Sequence, residues 1–198
     1  SARDVRYVPI ISYARLVGYD RDFIIQPDLL ERFHVANERI FTFRLRRGHR
    51  WSDGTPLSAE DFRFAWEDVA LNPEISRGGV PAELRVNGEP PRFEIIDELT
   101  VRYSWEAPNP AFLSQLASAG PPKLVLPSAY LRQFHASYQS AEVLARHVEE
   151  QRVDDWVALI QKMGRQNRPE NPDLPTLEAW LPRTAPPAEQ FIFERSEE

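Results

Sequence analysis

The sequence predicts a mixed α/β fold, built of antiparallel hairpins and packed helices. Three stretches carry that prediction. Ile40 to Leu45 alternates, with Phe41, Phe43 and Leu45 on one face and Thr42, Arg44 and Arg46 on the other, and it runs through a turn into a capped helix at Ser58. Phe93 to Trp105 holds two apolar runs about Asp97-Glu98, the pattern of a hairpin. Ser128 to Met163 places apolar residues at helical spacing.

The elements follow in chain order. Val5 to Tyr19 carries Tyr7, Ile10, Ile11, Ala14, Leu16 and Val17 at helical spacing, with Pro9 in the first turn and Gly18 as a stop, and is expected to be a helix. Phe23-Ile24-Ile25 reads as a short extended stretch before Pro27, and Leu29 to Val35 as a turn and strand entering the Ile40 strand. Gly48 ends that strand. Trp51-Ser52-Asp53-Gly54 is a turn, because glycine supplies positive φ at little steric cost. Pro56 discourages extension of the sheet.

Ser58 is the expected N-cap of a helix to about Val69, with Asp61 completing a near capping box and Phe62, Ala65, Trp66 and Val69 as its buried stripe. Glu60 and Asp61 sit at the positive end of its dipole. Asn72 to Pro91 is rich in glycine and proline, with a short hairpin expected at Asn87-Gly88. Val101, Tyr103 and Trp105 share one face of the Phe93–Trp105 hairpin. A short helix from Pro108 to about Ala119, a strand over Lys123 to Leu126, and helices from Ser128, over Ala141 to Arg152 and over Val153 to Met163, follow. Asn167 to Pro187 holds six prolines and reads as a rigid extended connector. Gln190 to Arg195 is a closing strand.

Composition excludes several classes. With 198 residues, the chain can bury a proper core, and a formal net charge of -6 without a basic block argues against nucleic acid. No apolar run is long enough to span a bilayer. The absence of cysteine removes disulfides, zinc–thiolate sites and thiol catalysis, and His34, His49, His135 and His147 form no metal-ligand spacing. The acidic pairs Glu60-Asp61, Glu67-Asp68, Asp97-Glu98 and Asp154-Asp155 do not suggest catalysis: adjacent residues on a helix point about 100° apart and do not converge. No nucleophile elbow, phosphate loop or His-Glu-x-x-His is present. No catalytic residue, metal ligand or cofactor is therefore expected.

The segment from Phe41 to Trp66 resembles the signature of the family 5 extracellular solute-binding proteins: an aromatic-rich strand, a basic turn, Trp-Ser-Asp-Gly-Thr-Pro, then a Ser-Ala-Glu-Asp helix start. Leu16, Tyr19 and Asp20, then Pro27, Leu29, Leu30 and Glu31, occupy places of two further family patterns, with Leu30 where alanine is usual. Asp97, Thr100 and Val101 match a family hairpin, and Glu194-Arg195 the start of a closing motif that Ser196-Glu197-Glu198 does not continue.

The resemblance implies part of a periplasmic-binding-protein type II fold, two-lobed when whole, that closes on a solute and docks to an ABC permease in the membrane. It implies that residues 1–198 are a fragment of the first lobe. Roughly 40–166 would include the family's extra subdomain, and 167–198 the proline-rich connector and closing strand. The chain opens without Met or signal peptide, and is expected to be a processed or excised piece from the periplasm or cell exterior. A peptide, or another small solute, is the implied ligand.

By family position, the candidate solute contacts are Tyr13, Thr176 and Trp180. Packing for Tyr13 and Trp180, and turn bonding for Thr176, are the competing readings and the preferred ones. The family's usual Gly-Pro-Tyr is replaced here by the stretch Pro175 to Trp180. Aromatic surface that would meet the second lobe favours self-association of the isolated chain. A ligand-sensing or protein-interaction module reusing the same fold is the alternative reading.

Overall fold

The computed structural model describes residues 14–165, 171–184, 190 and 192–196. The chain divides into two packed units, which the backbone enters alternately: one comprises 14–49 and 56–125, the other 50–55 and the chain from 126 onward.

The first unit is built on an antiparallel sheet. Its strands are β3 (Leu30–Ala36), β4 (Ile40–Leu45), β5 (Arg92–Asp97) and β6 (Thr100–Ser104), in the order β3-β4-β6-β5. The alternation in β4 has its expected result. Phe41 and Phe43 stand opposite Tyr103 and Val101, and all four are buried together with Leu45 and Trp105. Phe112 closes this face, with its ring centroid 5.0 Å from that of Phe41 and 4.7 Å from that of Trp105. The opposite face is polar: Arg44 pairs with Glu31 at 3.1 Å and with Asp97 at 3.2 Å. Both outer strands are bulged, between Leu30 and Arg32 and between Ile95 and Asp97, which discourages pairing with another chain.

The helix after the turn is α1 (Ala59–Arg63). Ser58 Oγ accepts from the Glu60 amide, while the Asp61 carboxylate accepts from the Ser58 amide at 3.0 Å, so the capping box is complete. From Phe64 to Ala70 the helix widens to a π form, and the Leu71 amide donates to the Trp66 carbonyl five residues back. Phe64 is buried beside Phe62, Ala65 and Trp66, whereas Val69 is only half-buried. At Asn87-Gly88 the expected hairpin is a single bridge, Val86 to Glu89, with both turn residues at positive φ.

Three readings are corrected in this unit. Val17–Tyr19 is a strand (β1) paired with β2 (Ile25–Pro27), not the end of a helix; the part of that helix before Ala14 lies outside the described residues. The Asp20 carboxylate decides this, because it accepts from the amides of Asp22 and Ile24 and locks a tight turn between the strands. The helix after Pro108 is shorter than expected, α2 (Phe112–Leu116). Lys123 to Leu126, which runs into the second unit, joins no sheet, flanked as it is by Pro121, Pro122 and Pro127; proline lacks the amide that a ladder needs.

The second unit is largely helical: α3 (Ser128–Leu131) with a 3₁₀ turn to Phe134, α4 (Ala141–Gln151) and α5 (Trp156–Met163). Ser140 caps α4, and Asp155 caps α5 by accepting from the Ala158 amide at 2.7 Å. The α5 helix therefore starts later than Val153. Leu131, Phe134, Leu144, Val157, Leu159, Ile160 and Met163 form the core of this bundle, with Trp156 only half-buried. A final ribbon pairs β7 (Trp180–Pro182) with β8 (Phe193–Arg195). The proline-rich connector thus contains a strand. Proline is tolerated in it because a two-stranded ribbon has only edge strands.

Candidate functional site

The candidate contacts Thr176 and Trp180 lie on one loop, 171–180, that leads into β7; Tyr13 lies outside the described residues. Asn171 anchors the start of the loop. Its side-chain amide donates to the Tyr130 hydroxyl at 2.9 Å and to the Met163 carbonyl at 3.0 Å.

The middle of the loop is held by the turn Trp51-Ser52-Asp53-Gly54. Within the turn, the Gly54 amide donates to the Trp51 carbonyl, Asp53 Oδ1 accepts from the Thr55 amide and hydroxyl at 3.0 and 2.7 Å, and Gly54 has a φ of 83°. Trp51 is 2% exposed. Ser52 faces Thr176: its amide donates to the Thr176 carbonyl at 2.9 Å, and its hydroxyl accepts from the Thr176 amide at 3.1 Å. The signature turn is thus a two-way backbone clamp on a loop 124 residues away.

Thr176 itself is engaged in a turn, with its Oγ1 accepting from the Glu178 amide at 3.0 Å. Trp180 opens β7 and is 46% exposed. Of the two, Trp180 is the more exposed, and Thr176 shapes the loop that leads to it. Between them stands Glu178, which the sequence reading passed over. It is partly buried, no hydrogen bond or ion pair reaches its carboxylate among the described residues, and burial pushes its pKa up to about 8. The only sequence signal is a lone acid in an otherwise uncharged run from Leu174 to Pro182.

Elsewhere in the unit, a shallow groove of about 340 Å³ is lined by Ala136, Gln139, Leu144, Val148 and Trp156 among others, and neither Thr176 nor Trp180 borders it. Among the described residues, no three histidine or acidic side chains lie together so as to hold a metal, and no helix is long and apolar enough to cross a membrane.

The family model for bacterial extracellular solute-binding proteins, family 5 (middle), matches residues 25–176, most of the chain. The chain belongs to this family. A solved structure, the oligopeptide-binding protein OppA, superposes with a TM-score of 0.84 at 28% identity, covering 98% of this chain and 30% of that one. The fold is accordingly part of a periplasmic binding protein of type II, as the sequence implied. The probable deoxycholate-binding periplasmic protein YgiS of Escherichia coli is 30% identical over 116 residues, 52% of this chain and 22% of its own length. The periplasmic oligopeptide-binding protein OppA of Salmonella typhimurium is 39% identical over 44 residues, 22% of this chain and 8% of its own. The chain therefore spans less than a third of each of these relatives. All three are binding proteins, and the two curated ones are periplasmic by name.

Proposed function

We propose that this chain is a portion of the solute receptor of an ABC importer, that the receptor works outside the cytoplasmic membrane, and that its solute is a peptide. One observation carries the reading: the likeness to OppA extends over 98% of the chain, through the signature turn and the loop it clamps. Relatives named for a murein peptide and for D,D-dipeptides support the same solute class. In this reading residues 1–198 are part of the first lobe, with 40–166 including the extra subdomain and 167–198 leading onward. Trp180 offers an aromatic face to the solute, Thr176 and Ser52 hold it in place, and Tyr13 joins them from the other end of the chain. The second lobe supplies the remaining contacts, and a membrane permease receives the closed receptor. The chemistry is binding without turnover.

Titration calorimetry of the full-length protein tests this against short peptides, oligosaccharides and bile acids. Micromolar or tighter binding of peptides is expected. Binding of saccharides or bile acids alone overturns the peptide assignment, since relatives named for a deoxycholate and for α-galactosides exist.

A further inference from the structure

Glu178 is the one ionisable side chain on the clamped loop between Thr176 and Trp180. Its backbone is fixed: the amide is held by Thr176 Oγ1, the Thr176 backbone is tied both ways to Ser52, and the next carbonyl, that of Ala179, accepts from the Ser196 amide at 2.8 Å. The carboxylate is left without a partner among the described residues although it is partly buried. A carboxyl group partly withdrawn from water, with no donor or cation beside it among the described residues, is less favourable in its charged form than one in open solvent. Two residues on, Trp180 leaves nearly half its surface open, and an indole face attracts cations. A carboxylate and an open indole on one rigid loop are complementary to a positively charged group, and poorly matched to an anionic or apolar one.

We infer that Glu178 and Trp180 form a subsite for a cationic group of the solute, either a lysine or arginine side chain or a free N-terminal ammonium. This rests on the peptide reading above. An arriving cation supplies a counter-charge that none of the described residues provides, so the site discriminates by charge. The high pKa of the empty site agrees with this, since burial there disfavours the bare anion.

The test uses the full-length protein and alanine-based tripeptides carrying either lysine or norleucine at one position, each with a free or an acetylated N-terminus, titrated by calorimetry at constant pH. Glu178→Gln is expected to weaken the cationic member of one pair about tenfold, the worth of a single charge-assisted hydrogen bond. The uncharged member should stay within about twofold. A loss confined to the lysine pair identifies a side-chain subsite, and one confined to the free-terminus pair an ammonium subsite; either supports the inference. An equal loss for all peptides, or no loss, overturns it while leaving the peptide reading intact. Failure of the wild type to bind any of the four overturns both. If Glu178→Gln binds nothing, Glu178→Asp decides: it keeps the charge, and retention of the cation preference supports the inference, whereas its loss overturns it.

Discussion

Tyr103 is fully buried among Phe43, Trp66, Phe93 and Phe112, and its hydroxyl has no hydrogen-bond partner among the described residues. Burial also pushes its pKa far above the ordinary phenol range. A buried donor left unsatisfied costs about 1–3 kcal/mol. Tyr103→Phe keeps the ring packing, removes that cost and is expected to raise the melting temperature by about 2–4 °C per kcal/mol recovered, measured by thermal unfolding. Glu178 gives a pH dependence of definite sign. The unfolded chain releases this proton near 4.5 and the folded chain near 8. Between those values the folded state binds more protons, so the stability contributed by the neutral acid is complete below 4.5 and is lost as pH rises through about 8. Melts at about pH 5 and about pH 8.5 should show a drop in wild type that Glu178→Gln makes smaller. The inward set of Phe41, Phe43, Val101, Tyr103 and Trp105 was legible because strand period alone assigns faces. Glu178 was not, because partial burial of a single acid in a loop leaves no period in the sequence.

The capping box at the start of α1 was legible at the next scale, because its partners lie three residues apart and the bonds are local. Ser58→Ala is expected to reduce stability by about 1 kcal/mol, read from the midpoint of urea unfolding at unchanged slope. Asp53→Ala removes both bonds to Thr55 and should also lower the melting temperature. Because Ser52 of the same turn clamps Thr176, any loss of solute binding in the full-length protein is expected to follow indirectly. The misread elements have one cause. Leu16 and Val17 are apolar and buried, as a helical stripe would require, but the Asp20 turn pairs Val17–Tyr19 with Ile25–Pro27. Lys123 to Leu126 has strand composition without a partner, and Trp180–Pro182 has a partner despite its proline. A strand exists only when another segment supplies its hydrogen bonds, and short apolar runs do not name that segment.

For the whole molecule, the chain covers 30% of the OppA structure it resembles. A receptor that encloses its solute between two lobes gains affinity from both and from the exclusion of water. The 198-residue chain alone is therefore expected to bind peptides at least about 100-fold more weakly than the full-length protein, as measured by calorimetry. Equal affinity would show this chain to be a complete site. Exposed Trp180 and Ile192 beside the β7–β8 ribbon favour self-association of the isolated chain, to be read from sedimentation at rising concentration. By itself the sequence determined the family, the β4–turn–α1 segment, the Phe93–Trp105 hairpin and the helices after Ser128. In each of these the information is local: a period of two or 3.6, a cap three residues from its partner, a glycine at a turn. Only the tertiary structure decided the β1–β2 and β7–β8 pairings, the clamp of Ser52 on Thr176 and the partial burial of Glu178 without a partner among the described residues. The pairings and the clamp depend on which other segment arrives alongside, near in the chain for β1–β2 and 124 residues away for Ser52 and Thr176, and the composition of one segment does not name its partner.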